Sequence, residues 1–188
     1  MSSDLGGYSA ALTDVGLAPS SLPQRLASFL SSRASIGALC ESSRWLSRRM
    51  AREAELSGLP IVELGAGFGS VTRFLPESTV SIEREEKRFL YLKQNFPERT
   101  ILSDCAVAFL ADIREPTVIL SSIPNVNNPQ FAKLKASVAR ASKAGTVKHL
   151  VTYTYFPVDP FAGIFAKSER IGLELLNLPP AFLWSYTC

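Results

Sequence analysis

The run Ile61-Val62-Glu63-Leu64-Gly65-Ala66-Gly67-Phe68-Gly69 constrains this chain more than any other stretch. An apolar segment of strand length ends in three glycines at alternate positions, and residues 70–75 follow with helical character. That order predicts a strand, a tight turn and a helix. Glycines at such a corner reach backbone conformations closed to other residues and let a ligand lie against the main chain. Glu63 ends the strand, just before the turn. A pyrophosphate gains nothing from a carboxylate there, whereas a ligand carrying an amine or a sulfonium does. The glycine spacing alone also suits dinucleotides, or a sharp corner with no ligand.

The order of elements is the second constraint. Ser21-Leu22-Pro23 offers a helix start, with Ser as cap and Pro in the first turn, leading through Leu26, Phe29 and Leu30. A second start at Ser42-Ser43 leads into Trp45, Leu46, Met50 and Ala54, and Gly58-Leu59-Pro60 then breaks the chain. Further strands are expected at residues 79–83, 100–103, 117–122 and 147–155. Helices are expected at 85–95, around 107–110, and at 129–143 before the stop at Gly145. Residues 170–177 and 182–186 form a closing hairpin. Strands alternating with helices imply a mostly parallel sheet covered on both faces. The expectation is therefore an α/β, Rossmann-like fold of seven strands with a C-terminal antiparallel hairpin. Three segments follow: a flexible N-terminus at 1–20, N-terminal helices at 21–57 that lid the ligand, and the ligand-binding domain at 58–188.

Composition narrows the class. A chain of 188 residues fits the single-domain range of about 100–200. No apolar run reaches the roughly 18 residues a membrane span needs. The start of the chain is rich in Ser, Gly and Ala and lacks the basic, then apolar, character of a secretory signal. Cys40, Cys105 and Cys188 are scattered, odd in number and without metal-ligand spacing. A reducing, cytoplasmic setting and no metal are expected. The net charge of +3 is too small to argue for nucleic acid.

Several motifs occur in a fixed order. Glu63-Leu64-Gly65-Ala66-Gly67-Phe68-Gly69 is followed by Ile82-Glu83-Arg84 and then by Ser103-Asp104-Cys105-Ala106. With Glu63 in front and no glycine three residues beyond Gly67, the first motif resembles that of S-adenosylmethionine (SAM)-dependent methyltransferases. The set is similar to both rRNA adenine dimethyltransferases and the small bacterial phospholipid N-methyltransferases. Phe29-Leu30 with 36–44, Ser121-Ser122-Ile123-Pro124, Thr152-Tyr153-Thr154-Tyr155-Phe156-Pro157, and Asn177-Leu178-Pro179-Pro180-Ala181 resemble the flanking motifs of the phospholipid enzymes. The likeness spans about residues 26 to 187. Glu41 stands where that family usually has Pro, and Ser122 where it usually has Gly.

The resemblance implies a class I methyltransferase that binds SAM and releases S-adenosylhomocysteine. Its cofactor site would be lined by Phe29, Glu63, Gly65, Ala66, Gly67, Gly69, Glu83, Arg84, Asp104, Cys105 and Ser121. Glu83, at a strand end, can accept both ribose hydroxyls, since ionised oxygens accept paired donors well. It also suits a helix N-cap. Asp104 would meet the exocyclic amine of adenine, and it too suits a helix cap.

For the chemistry, the expectation is attack of a neutral amine nitrogen on the methyl carbon of SAM, with the protein holding nitrogen, carbon and sulfur in line. Ser121 and the Ile123 carbonyl would hydrogen-bond the nitrogen. Tyr153, Tyr155 and Phe156 would surround a substrate that becomes cationic, unless they are simply core aromatics. Ser122 and Pro124 would border the acceptor. His149, the only histidine, is placed at the far end of its strand and is not expected to be the base.

Arg44, Arg48 and Arg52 recur at i, i+4 spacing and share a helix face, with Leu46, Met50 and Ala54 nearly opposite. Such a face suits peripheral contact with an anionic membrane, on its inner side, or plain solvation. The acceptor expected first is the amine of a phospholipid such as phosphatidylethanolamine. A small-molecule amine, an rRNA adenine or SAM binding without transfer are the alternatives. Nucleic acid fits less well, because Asn125 follows Pro124 where an aromatic would stack on a flipped base.

Overall fold

A computed structural model describes residues 42–188, which lie within one compact unit, Cys40–Cys188. The helix expected around Phe29, Phe29 itself and Glu41 fall outside the described residues.

Helix α1 spans Arg44–Glu55 and begins where Ser43 accepts the Leu46 N–H on its side-chain oxygen at 3.3 Å. A capping hydroxyl satisfies one of the donors a helix start leaves free. Leu46, Met50, Ala51 and Ala54 are buried, while Arg44, Arg48 and Arg52 lie exposed. Strand β1 is Ile61–Leu64 and β2 is Val80–Ile82, with helix α2 at Glu86–Asn95. Strand β3 is Thr100–Leu102, helix α3 Ala106–Asp112 and strand β4 Thr117–Ser121. Helix α4 is Phe131–Lys143, β5 is Val147–Thr154, β6 is Lys167–Glu174 and β7 is Ala181–Thr187. The strand and hairpin expectations hold, with ends shifted by a few residues, and the hairpin starts earlier, at Lys167.

The expected helix after the glycines does not form. Residues 70–75 contain only a 3-10 turn, Thr72–Phe74. Pro76 forces Leu75 into an extended conformation (φ −84°, ψ 156°), which ends the turn. Val71 and Thr72 are β-branched, and Thr72 turns its hydroxyl inward to Glu63. The apolar spacing at 70–75 serves packing rather than a regular helix.

The strands form one sheet in the order β3-β2-β1-β4-β5-β7-β6. The β1–β2, β1–β4, β2–β3 and β4–β5 pairs are parallel, and β7 runs antiparallel to both β5 and β6. Each face carries its own core. On one side Val62, Leu64, Ile82, Ile119 and Leu150 pack with Leu110 of α3 and Leu134 and Val138 of α4. On the other, Ile61, Val118, Leu120, Val151 and Leu183 pack with Leu46, Met50 and Ala54 of α1. This is the seven-stranded, two-faced α/β sheet expected from the pattern of elements.

Candidate functional site

The strand order reverses between β1 and β4, so the loops leaving these two neighbours diverge and open a crevice at the carboxyl edge. Leu64 pairs with Ser121 at the strand ends, and the Leu64 carbonyl accepts the Ser122 N–H at 3.0 Å. Apart from Phe29, the residues the sequence proposed for the site lie in the last residues of the parallel strands or in the loops that leave them, with Glu63 and Tyr153 still inside β1 and β5.

The glycine loop is the floor. Gly65, Gly67 and Gly69 all have positive φ (77°, 60° and 81°). A Cβ on Gly65 would stand 2.8 Å from Ile123 Cγ1, so glycine here lets the β1 and β4 loops touch. A Cβ on Gly67 would meet nothing within 4 Å. The loop is thus packed on one glycine and open at the next, which is the form of a surface that receives a ligand against its backbone.

Glu83 is buried, and both its oxygens are held by backbone. Oε2 accepts the Gly67 N–H at 2.9 Å, and Oε1 accepts the Glu85 N–H at 2.9 Å. Each carboxylate oxygen retains acceptor capacity for a further donor such as a diol. Glu83 is not the helix cap: Glu85 takes that part for α2, accepting from Lys87 N and Arg88 N. Likewise Cys105, not Asp104, occupies the cap position of α3, and Asp104 Oδ1 accepts the Cys105 N–H at 2.6 Å. Asp104 is half-buried, and Cys105 and Arg84 are exposed.

Glu63 is placed differently from its neighbours. It is fully buried on the α1 side of the sheet, with Oε2 accepting the hydroxyls of Ser81 at 2.6 Å and Thr72 at 2.7 Å. Its other oxygen has no hydrogen-bond partner. Burial pushes the Glu63 carboxyl above its ordinary value, opposed by the two hydroxyl bonds and by the charge of Arg99. Glu63 therefore ties the 3-10 turn to β2 beneath the glycine loop. Thr72 and Ser81 are the residues sequence reasoning passed over; the only signal for them was a hydroxyl on each side of a strand-borne carboxylate.

Ser121 is buried and its hydroxyl accepts the Ile123 N–H at 3.4 Å, while its carbonyl accepts the Thr152 hydroxyl at 2.9 Å. These bonds fix the loop that carries Ile123 and Pro124. The Ser122 hydroxyl is buried without a hydrogen-bond partner. Pro124 is exposed, and its carbonyl accepts the Asn128 amide at 2.9 Å. Tyr153 and Tyr155 share one side of β5 and its extension and meet edge-to-face at 5.6 Å, both half-buried against the α1 core. Phe156 is half-buried beside them in sequence, its carbonyl accepting the Thr154 hydroxyl at 2.6 Å.

His149 lies at the opposite end of β5, paired with Thr187 at the far end of β7. Its Nε2 meets the Ser185 hydroxyl at 2.9 Å and Glu53 Oε1 at 3.8 Å. Burial pushes the imidazole below its ordinary value, with Glu53 opposing. Among the described residues, no three His, Cys, Asp or Glu side chains gather as a metal site.

No protein-family model and no curated protein matches this sequence. Solved structures do match in fold. An O-methyltransferase from Bacillus cereus in complex with SAH is 15% identical, with a TM-score of 0.59 over 92% of this chain and 94% of that one. The 23S rRNA methyltransferase ErmE is 18% identical, with a TM-score of 0.56 over 75% of this chain and 66% of ErmE. TrmN from Thermus thermophilus is 15% identical, with a TM-score of 0.59 over 85% of this chain and 53% of TrmN. The chain thus spans less than two thirds of ErmE and TrmN but nearly all of the O-methyltransferase. The protein has the Rossmann-like fold of the SAM-dependent methyltransferases.

Proposed function

We propose that this protein binds SAM at the carboxyl edge and transfers its methyl group to an amine nitrogen, with the head group of a phospholipid such as phosphatidylethanolamine as acceptor. The observation that carries the reading is the Glu83 carboxylate, held between the Gly67 and Glu85 N–H groups at the switch point beside the open Gly67. That arrangement fits a ribose diol, with the rest of the cofactor along the glycine loop and Asp104 at the adenine. SAM supplies an electrophilic methyl group on a sulfonium. The chain's own part is to orient: Ser121 and Thr152 fix the β4 loop, so that the Ile123 carbonyl can accept from the amine and aim its lone pair. Tyr153, Tyr155 and Phe156 favour the cation that forms when the nitrogen gains the methyl group. The nitrogen loses a proton to water and the cofactor's sulfur keeps the electron pair of the broken bond. The phospholipid assignment is supported by the order of the flanking motifs and by the exposed Arg44, Arg48 and Arg52.

A second reading, a small polar amine as acceptor, is favoured by one feature. The Ser122 hydroxyl, buried and unpartnered where the resembling family has glycine, offers a hydrogen bond that an acyl chain cannot use. Incubating the full chain with methyl-labelled SAM and separate lipid, metabolite and RNA extracts tests both. Label in the lipid fraction is the expected result. Label confined to the metabolite fraction establishes the second reading, and label in RNA or nowhere removes both.

A further inference from the structure

The tip of the β6–β7 hairpin carries an apolar surface that the core does not use. Leu175, Leu176 and Leu178 are 69%, 67% and 70% exposed, and Leu173 just before them is 43% exposed. Isolated exposed leucines are ordinary; a run of them on one turn marks a contact surface. The same turn is rigidly held. Asn177, between Leu176 and Leu178 in sequence, is buried; it accepts the Ser43 N–H on its side-chain oxygen at 2.8 Å and donates to the Pro179 carbonyl at 2.7 Å. Arg49 donates to the Ile171 carbonyl at 2.7 Å. The leucine tip and the start of α1 are thus one surface.

That start of α1 is basic and aromatic. Arg44 and Arg48 are exposed, with Arg44 over the ring of Trp45, itself 48% exposed, and Arg48 over Phe74. The acidic groups nearby are few: Glu174 is occupied with the Leu176 N–H at 3.2 Å, while Glu53 and Glu55 sit at the other end of α1. Position completes the argument. Phe182 of β7 pairs with Thr154, the last residue of β5, so the tip that precedes β7 projects from the carboxyl edge, the edge of the candidate site.

We infer that the leucine tip of the β6–β7 hairpin and the arginines of α1 form one docking surface for an anionic lipid bilayer, the leucines entering the acyl boundary and Arg44 and Arg48 meeting the head groups. Apolar side chains beside exposed arginines and an interfacial Trp are the chemistry such a boundary selects. Neither set suffices alone: a few leucines bind weakly, and arginines without them give only salt-sensitive attraction. The surface itself needs no particular reaction. Its consequence, a site mouth turned toward the lipid, rests on the methyl transfer proposed above.

Co-sedimentation of the full chain with vesicles tests the surface. The probes are phosphatidylcholine vesicles with and without phosphatidylglycerol, at low and high salt. The chain should bind the phosphatidylglycerol vesicles, bind phosphatidylcholine alone far less, and weaken as salt rises. Leu175→Ser with Leu176→Ser should reduce partitioning at least about tenfold. Arg44→Glu with Arg48→Glu should reduce it about thirtyfold or more. Both variants should keep the parent's melting temperature and its SAM affinity by calorimetry, which reports separately on the Glu83 site. Three results overturn the inference: no binding of the parent to either vesicle, undiminished binding of the leucine variant, or a parent dimer that the leucine variant converts to monomer without any vesicle binding. The last would assign the tip to a second copy of the chain.

Discussion

The Gly67 N–H donates to Oε2 of Glu83 at 2.9 Å, joining the tip of the loop after β1 to the end of β2 across 16 residues of sequence. One carboxylate thereby sets the loop that would cradle the cofactor and presents the acceptors that would take its ribose. Glu83→Ala should therefore weaken SAM binding by about 10- to 100-fold, since a hydrogen bond to a charged group is worth roughly 1.5–3 kcal/mol. Isothermal calorimetry checks this, and unchanged affinity would remove the ribose assignment.

The glycines of the loop should not respond alike. At Gly69 a Cβ would collide with the Phe96 ring, standing 2.7 Å from Cζ, whereas at Gly67 it meets nothing. Both positions also carry positive φ. Gly69→Ala should cost about 2–4 kcal/mol, the sum of overpacking and backbone strain, and Gly67→Ala about 1–2 kcal/mol from strain alone. Urea denaturation of the two variants gives the ranking.

Glu63 carries a pH signature. Burial raises its folded-state pKa above the ordinary 4.5, so the folded chain holds a proton that the unfolded chain has released. The stability tied to that proton is complete below 4.5 and is lost as pH rises through the folded value. Glu63→Gln keeps an oxygen for the Thr72 and Ser81 hydroxyls and removes the charge. Its stability relative to the parent should improve as pH climbs above 4.5. A constant difference from acid to neutral pH would contradict the burial argument.

His149 should act with the opposite slope. Burial lowers its folded-state pKa below 6.5, so the unfolded chain takes up a proton first as pH falls. Stability is full above 6.5 and declines below it, toward the folded value. His149→Gln should abolish this decline below pH 6.5 while leaving SAM binding intact, because the ring lies at the far end of β5. Denaturation at a series of pH values, with calorimetry at neutral pH, separates the two effects.

Much of the architecture was legible because it rests on local chemistry. The apolar run before Gly65, the Ser43 cap, the stop at Gly145 and the alternation of strands and helices each depend on residues close in sequence. Among the described residues, the segment 70–75 shows where local reasoning stops. Its apolar spacing suits a helix, but Pro76 and the turn of Thr72 toward Glu63 leave a single 3-10 turn. The alternatives left open for Glu83 and Asp104 could be resolved only by knowing which N–H each carboxylate reaches.

By itself the sequence determined the α/β class, the corner at Gly65 and the carboxylates that surround it. These follow from period, turn chemistry and residue type, which need no distant partner. Tertiary structure decided the division of labour among those carboxylates. Glu63 sits one residue before the end of β1 and Glu83 directly follows β2, yet one faces inward to Ser81 and Thr72 while the other meets the loop backbone at the crevice. It also decided that the leucines of the β6–β7 turn stand beside the arginines of α1, more than a hundred residues earlier in the chain, with Ser43 and Asn177 134 positions apart. Strand pairing and long-range hydrogen bonds create such neighbours, and no local pattern encodes them.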